Sequence, residues 1–264
     1  MTNLNKEEGG LLLKIKLATS LLLMTGWFIL FSVSVLAQDN NLASEPDLVQ
    51  IEQTPGASLT QAPADYDQDG YSDETEIKQG YSPFNAEPVK AEKSDIDKDG
   101  LSDAWEIKFK TDALNSDSDG DGFLDGLEVD LAYDPMSSST KKLSQKIEIN
   151  LKKQQLAYLV AGQTWKTFSV STGKAAMPTP KGSYKIINKN KKAWSKSYGL
   201  WMPYWMGLGN GQFGMHELPV WPSGYREGED HLGKPVSHGC IRLGVGSAQY
   251  IYDRVVVGTE VTIK

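Results

Sequence analysis

A twelve-residue acidic pattern occurs three times in the first half of this 264-residue chain. The copies occupy residues 65–76, 95–106 and 117–128, and each reads Asp-x-Asp-x-Asp-Gly-x-x-Asp-x-x-Glu. Carboxylates therefore stand at loop positions 1, 3, 5, 9 and 12, and the glycine at position 6 permits a sharp turn. Calcium takes six to eight hard oxygen ligands, which a tight loop of this kind supplies. The pattern predicts three calcium-binding loops, because a random acidic linker does not repeat this spacing.

Each loop offers six predicted calcium ligands, namely five carboxylates and the backbone carbonyl of the seventh residue. The ligands are Asp65, Asp67, Asp69, Tyr71, Asp73 and Glu76 in the first loop, Asp95, Asp97, Asp99, Leu101, Asp103 and Glu106 in the second, and Asp117, Asp119, Asp121, Phe123, Asp125 and Glu128 in the third. An apolar residue follows each glutamate and a Pro- or Asn-marked turn comes later. Each unit is therefore predicted to be a loop, a short helix and a turn.

These units resemble thrombospondin type 3 and related bacterial calcium repeats more than paired EF-hands. The polar stretch before Asp65 leaves no incoming helix for an EF-hand, and the second and third loops start 22 residues apart. The resemblance implies an α-helical and loop segment, residues 65–137, that binds calcium. Crowded carboxylates repel one another, so we expect this segment to be disordered without calcium and a semi-rigid spacer with it.

The charge of the chain is unevenly distributed. Residues 65–136 hold 21 acidic and 6 basic side chains, whereas residues 145–264 hold 7 acidic and 16 basic ones, within a total formal charge of -7. The acidic part suits cations, and the basic part suits an anionic polymer rich in carboxylates. We expect no nucleic-acid partner, because the lysines do not cluster in one run.

The amino terminus, residues 1–37, has the pattern of an export signal. Lys14 and Lys16 precede an apolar run that ends at Ala37, a run long enough to form a membrane-spanning helix. We expect either cleavage after Ala37 or an uncleaved anchor that binds the membrane. Either outcome places the protein in the periplasm or the cell envelope. Residues 38–64 are predicted to be a disordered linker, because they are polar and hold few large apolar residues.

The last part of the chain, residues 145–264, predicts a mostly β domain. Polar and apolar residues alternate over 146–151, and short apolar or β-branched runs follow at 156–160 and 165–170. A fourth strand is expected over 183–187. The final strand is expected near 255–257 or 260–263, after a short helix through 248–254. The aromatic stretch from Trp194 to Trp221 indicates either a groove for sugar or peptide or ordinary packing.

Cys240 is the only cysteine, and it lies in the run Ser237-His238-Gly239-Cys240-Ile241-Arg242. A thiolate is an effective nucleophile, and a nearby imidazole or cation lowers the pKa of a cysteine. Gly239 lets the backbone approach a ligand, and N–H groups of such a turn could face an oxyanion. A lone cysteine is more often buried and inert, but a leftover thiol in an exported protein indicates chemistry. The candidate bases are His216, His231 and His238.

Ser237-His238-Gly239-Cys240-x-Arg242, preceded at a fitting distance by Gly214-Met215-His216-Glu217, resembles the signature of the YkuD-type L,D-transpeptidases. The resemblance covers about 145–264 and implies a β-sandwich or barrel with short helices. It implies Cys240 as nucleophile and His216 as base, with Ser237, His238 and Gly239 in the catalytic turn. Arg242 would hold a substrate carboxylate or support the loop. Tyr204 and Trp205 resemble residues that family members carry before the histidine, and we expect them to bind substrate.

The family chemistry implies two acyl transfers between peptidoglycan stem peptides, through a thioester on Cys240, without a catalytic cofactor. Attack by an amine of a second stem gives a 3→3 cross-link. The motif leaves other acceptors open, since water would make the protein a carboxypeptidase and a protein lysine would make it an anchoring enzyme. A non-catalytic, calcium-dependent wall-binding protein is the alternative from another class.

Overall fold

The structure is a computed structural model that describes residues 64–264. The predicted export signal or anchor, residues 1–37, and all but the last residue of the predicted linker, residues 38–64, lie outside the described residues. The predicted amino-terminal apolar helix lies there too. Over residues 64–264, no helix is long and apolar enough to cross a membrane.

Each acidic repeat contains one short helix, as its spacing predicts. The helices are α1 (Asp73–Gln79), α2 (Asp103–Phe109) and α3 (Asp125–Asp130). Each begins at the ninth loop residue, so the aspartate and the later glutamate both lie in its first turn, where the helix dipole favours negative charge. The first helix ends at Gly80, whose φ of 76° is the left-handed conformation common at helix ends.

Residues 145–263 form a closed eight-stranded barrel, which confirms the mostly β prediction. The strands are β1 (Gln145–Asn150), β2 (Gln155–Val160), β3 (Gln163–Ser171), β4 (Gly182–Ser195), β5 (Leu200–Leu208), β6 (Phe213–Glu217), β7 (Ile241–Leu243) and β8 (Glu260–Ile263). Their order around the barrel is β1-β2-β3-β7-β6-β5-β4-β8. The β1–β8 and β6–β7 neighbours are parallel, and the others are antiparallel.

The core consists of the inward-facing residues of these strands. Ile147 and Ile149 of β1 are fully buried, and they alternate with partly exposed neighbours as a half-buried strand requires. Met215 and Ile241 are paired and buried where β6 meets β7. A fourth helix, α4 (Ser247–Arg254), packs on the same core through its buried face, Ala248 and Ile251.

The central strands differ from the sequence prediction. The strand predicted over 183–187 is the start of a 14-residue strand, β4, and the aromatic stretch that follows forms β5 and β6. These strands carry long mixtures of lysine, aromatic and apolar residues that do not alternate strictly, so period-two patterning did not reveal them.

The third repeat is attached directly to the barrel. Asp130, at the end of α3, accepts a hydrogen bond from Trp165 Nε1 at 3.1 Å and is ion-paired with Arg254, while Tyr250 donates its hydroxyl to the same carboxylate. The ring of Trp105 in α2 meets Trp165 edge to face, with centroids 5.1 Å apart. The second and third repeats therefore contact the barrel directly.

Candidate active site and calcium loops

Cys240 immediately precedes β7, which pairs with β6, the strand of the candidate base. Ile241 pairs with Met215 and Arg242 pairs with His216, so Arg242 and His216 share one face of the β6–β7 pair. The Cys240 thiol accepts a hydrogen bond from the Gly214 backbone of β6, two residues before His216. Met215 and Ile241 point to the core, so the face of Arg242 and His216 is the opposite one. It is covered by the long connection after β6, which is tied to the barrel by Gly233 N–H donating to the Val170 carbonyl at 2.9 Å.

The thiol of Cys240 has a largely desolvated environment. Burial raises its pKa, while a hydrogen bond from the Gly214 backbone and the cation of Arg242 oppose that shift. The cysteine residue itself remains partly exposed to solvent. The group therefore rests as a protonated thiol that a reactant can reach, and a base must remove its proton before it attacks.

His216 is a buried, neutral imidazole with a defined orientation. Its Nδ1 lies 2.5 Å from the backbone carbonyl oxygen of Glu217, an arrangement in which Nδ1–H donates and Nε2 is left as the acceptor. Burial lowers its pKa to about 4, the bond to Glu217 opposes the shift, and Arg242 adds to it. The ring of Trp205 stacks on the imidazole with centroids 6.0 Å apart. The ring is therefore neutral at neutral pH, and its Nε2 is able to accept a proton.

The other two histidines have different surroundings. His238 is exposed and stacks on Tyr198, with centroids 4.7 Å apart. Burial, Lys174 and Arg242 lower the pKa of His238. His231 belongs to a 3₁₀ turn, Glu229–His231, and its Nδ1 is 3.9 Å from a Glu227 oxygen. Of the three histidines, His216 is the one on β6, the strand whose Gly214 backbone bonds the Cys240 thiol.

Ser237 and Gly239 build the turn that presents the cysteine. The Ser237 hydroxyl donates to the Cys240 carbonyl at 2.6 Å and accepts the Gly239 N–H at 3.1 Å. Gly239 has a φ of 113°, a conformation that a residue with a side chain rarely adopts. Thr179 Oγ1 donates to the Gly239 carbonyl at 2.9 Å, which fixes the turn from the neighbouring loop.

The expected oxyanion donors are partly occupied. The Ser237 N–H donates to the Thr172 carbonyl at 2.9 Å, and the Gly239 N–H is used by the Ser237 hydroxyl. The turn is expected to offer the N–H groups near Ser237, Gly239 and Cys240 to an oxyanion, and those of Ser237 and Gly239 are bonded within the protein in this conformation. Among residues 237–240, the N–H groups of His238 and Cys240 remain as candidate donors.

The three acidic loops gather their first carboxylates as the spacing predicts. In each loop, oxygens from positions 1, 3 and 5 lie within 4.8 Å of one another. These groups are Asp65, Asp67 and Asp69, then Asp95, Asp97 and Asp99, then Asp117, Asp119 and Asp121. The final glutamates Glu76, Glu106 and Glu128 are buried beside them.

A cation would resolve an electrostatic problem in the first two loops. Within the described residues, buried oxygens of Asp65, Asp67 and Glu76, and of Asp95, Asp97 and Glu106, have no hydrogen-bond partner. Burial, together with the neighbouring carboxylates, raises the pKa of Asp97 to about 6 and that of Glu106 to about 8. These buried carboxylates lack a positive charge and a partner for their oxygens. A hard divalent cation would supply both, so the residues fit calcium.

The aspartates at the ninth loop positions accept hydrogen bonds within the repeats. Asp73 accepts the Tyr66 N–H at 2.8 Å, and Asp103 accepts the Ile96 N–H at 3.3 Å together with the Ser82 hydroxyl. Asp125 accepts the N–H and hydroxyl of Ser118 at 3.0 and 2.5 Å. These hydrogen bonds brace the loop across its turn, and the prediction that the three aspartates bind calcium stays a prediction.

Comparison with known proteins agrees with this geometry. Residues 144–263 match the family model of the L,D-transpeptidase catalytic domain, YkuD, and residues 95–116 and 117–131 match that of the bacterial TSP3 repeat. The carboxyl-terminal domain is a YkuD-type L,D-transpeptidase domain. It is preceded by bacterial TSP3 repeats, and the first acidic loop lies outside the part that their model matches.

Two relatives from Bacillus subtilis, YciB and YkuD, are both named as L,D-transpeptidases. They are 31% identical over 126 residues and 27% identical over 117 residues, and each match covers 44% of this chain. The chain spans 64% of the length of either relative. Among solved structures, an L,D-transpeptidase from Mycobacterium smegmatis is 21% identical with a TM-score of 0.41, and covers 47% of this chain and 60% of its own. L,D-transpeptidase 3 from Mycobacterium tuberculosis is 20% identical with a TM-score of 0.39, and covers 47% and 63%.

Arg242 of the transpeptidase domain is a buried support and is not held open for a ligand. It is 5% exposed, and its Nη1 lies 3.3 Å from an oxygen of Glu227 in the connection that covers the site. Of the two predicted roles, support of the loop fits this geometry. Burial raises the pKa of the Cys240 thiol, and the cation of Arg242 opposes that increase.

The two aromatic residues predicted to bind substrate have separate surroundings. Trp205 is 9% exposed, stacks on His216 and donates Nε1–H to Asn188 Oδ1 at 2.9 Å. Tyr204 packs against Tyr252 of α4, with centroids 5.6 Å apart. Trp205 therefore supports the base and Tyr204 joins the core packing, and they do not line one groove. Tyr198, which lies in the aromatic stretch from Trp194 to Trp221, is the ring that stacks on His238 beside the cysteine turn.

Glu217 is a residue of the transpeptidase site whose role the sequence did not reveal. Its buried carboxylate is ion-paired with Arg226, and its second oxygen accepts the Gly246 N–H at 3.1 Å. The only signal in the sequence is its position directly after the candidate base. The partners lie 9 and 29 residues away along the chain, so no local pattern reports them.

Proposed function

We propose that this protein is a peptidoglycan L,D-transpeptidase that forms 3→3 cross-links through a thioester on Cys240. The observation that carries the proposal is the orientation of His216. It is buried and neutral, its Nδ1 is held by a backbone carbonyl, and it lies on β6, two residues after the Gly214 backbone that bonds the thiol of the single cysteine. A thiol with a raised pKa needs such a base, and the base–nucleophile pair is the minimum for acyl transfer.

The first half of the reaction transfers the donor stem to the enzyme. His216 Nε2 takes the thiol proton, and the Cys240 sulfur attacks the carbonyl carbon that follows the L-centre of diaminopimelate, the third stem residue. The bond from that carbon to the nitrogen of terminal D-alanine breaks. The imidazolium returns its proton to the leaving amine, which departs as D-alanine and leaves a thioester.

The second half transfers the acyl group to the acceptor. An amine of a neighbouring stem attacks the thioester carbonyl while His216 accepts the amine proton. The carbon–sulfur bond breaks, and the proton passes to the sulfur to restore the thiol. The burial and the Arg242 cation that lower the pKa of His216 favour the return of each proton, because they destabilise the imidazolium.

The TSP3 repeats hold calcium through the clustered aspartates at positions 1, 3 and 5 and the buried glutamates at position 12. When bound, the ion balances the buried carboxylates and has no part in the acyl transfer. The export pattern of residues 1–37 supports a location in the periplasm or cell envelope, where stem peptides are found and where an uncleaved anchor would reach the membrane.

The test is mass spectrometry of the full chain incubated with stem tetrapeptides that end in D-alanine. We expect release of D-alanine, an enzyme mass increased by the tripeptide acyl group, and a dimer joined from third residue to third residue. The Cys240→Ala variant is the control and is expected to give none of the three. Cross-linked product from that variant, or release of D-alanine with water as the only acceptor, would contradict the proposal.

A further inference from the structure

Arg226 and Glu227, two adjacent residues of opposite charge, connect the covering loop, the chain between β6 and β7, to both of these strands. Arg226 is ion-paired with Glu217 at the end of β6, and Glu227 is paired with Arg242 of β7 at 3.3 Å. Glu217 and Arg242 are only 4% and 5% exposed. Buried charges are costly unless they are paired, so these two contacts hold the loop at a fixed position over the strands.

Glu217 is anchored at both oxygens of its carboxylate. One oxygen accepts Nη1–H of Arg226, which lies in the covering loop. The other accepts the backbone N–H of Gly246 at 3.1 Å, just before α4. The side chain therefore connects β6 to two elements that follow it in the chain, and it restricts rotation of its own backbone more than the strand ladder alone does.

The backbone of the same residue orients the candidate base. Its carbonyl oxygen lies 2.5 Å from Nδ1 of His216, so the position of this carbonyl determines which ring nitrogen carries the proton. His216 and Glu217 are consecutive strand residues, and their side chains point to opposite faces. The carboxylate thus acts on the imidazole through the peptide group and not by direct contact.

We propose that Glu217 is a positioning residue for His216. Its doubly anchored carboxylate holds the Glu217 carbonyl against Nδ1–H, which keeps Nε2 unprotonated and able to accept a proton. The kinetic part of this inference rests on the proposed function, whereas the tautomer does not. Without the carboxylate, the carbonyl loses its fixed position and the imidazole divides between its two neutral tautomers.

The experiment measures the His216 tautomer by ¹⁵N NMR of the full chain at pH 7, in the wild type and in Glu217→Ala, Glu217→Gln and Glu227→Gln variants. We expect the wild type to show Nδ1–H alone and Glu217→Ala to show a mixture. The Glu217→Gln variant retains one acceptor oxygen for the Gly246 N–H. Its ratio of tautomers is therefore expected to lie between those of the wild type and of Glu217→Ala. Glu227→Gln breaks the neighbouring pair without touching Glu217, so it is the matched control and keeps the wild-type tautomer.

The rate of Cys240 alkylation by iodoacetamide provides a second measurement that does not depend on transpeptidation. We expect Glu217→Ala to lower it by about tenfold at pH 7, since misplacement of a base weakens proton transfer. If the alanine variant does not fold, Arg226→Gln removes one of the two anchors from an exposed position and is expected to show an intermediate mixture, because Gly246 still binds the carboxylate. A folded variant that keeps both the wild-type tautomer and the wild-type rate would overturn the positioning role. A tautomer change in a protein that forms no cross-links would refute the proposed function and leave the positioning role intact.

Discussion

His216 and Arg242 are paired residues of the parallel β6–β7 ladder, and the buried guanidinium of one lowers the pKa of the other. The same cation opposes the raised pKa of the Cys240 thiol. One arginine thus favours the thiolate and disfavours the imidazolium. Its pair with Glu227 keeps it in this position, which explains why a charged residue is buried next to the candidate nucleophile.

We expect the Cys240→Ala substitution to abolish acyl transfer and leave the fold intact. The residue is partly exposed and outside the hydrophobic core, so the loss of its sulfur changes the free energy of unfolding by about 1 kcal/mol or less. Product analysis measures the first effect, and thermal unfolding followed by circular dichroism measures the second. Residual cross-linking in the folded variant would contradict the nucleophile assignment.

The acid limb of kcat/KM is expected near pH 4. Burial and Arg242 lower the pKa of His216 to about 4, so the base stays neutral down to that pH and loses its function only when it is protonated below it. A His238→Gln variant is the control and should leave the midpoint of this limb unchanged. A limb centred at pH 6.5 would show that His216 is not the titrating base.

His216 also makes stability depend on pH. Its pKa is lower in the folded than in the unfolded protein, so between pH 6.5 and about 4 the unfolded chain binds more protons. The neutral buried ring makes its full contribution to the free energy of unfolding above pH 6.5. That contribution decreases as the pH falls from 6.5 to about 4, by at most about 1.4 kcal/mol per pH unit. Denaturant unfolding at several pH values, compared with His216→Gln, measures this slope. Identical slopes in the two proteins would exclude the effect.

The Asp130→Ala substitution is expected to destabilise the joint between the TSP3 repeats and the barrel by about 3 kcal/mol. It leaves Arg254 without its ion-pair partner, and Trp165 and Tyr250 without their acceptor. Asp134→Ala is the matched control, because its partner Lys141 is largely exposed and such pairs contribute about 1 kcal/mol or less. Thermal unfolding of both variants measures the difference. Equal losses in the two would show that the joint does not depend on Asp130.

Calcium is expected to stabilise the full chain and to change its tryptophan fluorescence. The second loop adjoins α2, whose Trp105 meets Trp165 of the barrel, so ordering that loop alters a ring contact between the two parts. We expect calcium to raise the unfolding temperature and chelator to lower it, since a ligand of the folded state stabilises it. Glu106→Gln should weaken the response, whereas Glu74→Gln, an exposed residue paired with Lys78, should not. A response unchanged by Glu106→Gln would contradict the predicted ligand set.

Local spacing was sufficient for much of the site. The acidic pattern predicted which carboxylates cluster. Positions 1, 3 and 5 of a tight loop come close to one another whatever the rest of the fold is. The pattern did not reveal that Asp103, at position 9, accepts a hydrogen bond from Ser82 of the preceding repeat, a partner 21 residues away. The alternation over 146–151 predicted β1, but strands with mixed surroundings such as β4 and β5 did not follow a period of two.

By itself, the amino-acid sequence determined the chemistry that each segment offers: oxygen-rich loops, one thiol in a glycine turn, and a β-rich domain around it. These properties depend on residues a few positions apart, whose relation the chain geometry sets locally. Only the tertiary structure buried His216 with its Nδ1 at the Glu217 carbonyl, buried Arg242 against Glu227, anchored Glu217 to Arg226, and joined Asp130 to Arg254 across 124 positions of sequence. Strand pairing and burial decide such contacts, because they bring together side chains that no local spacing relates.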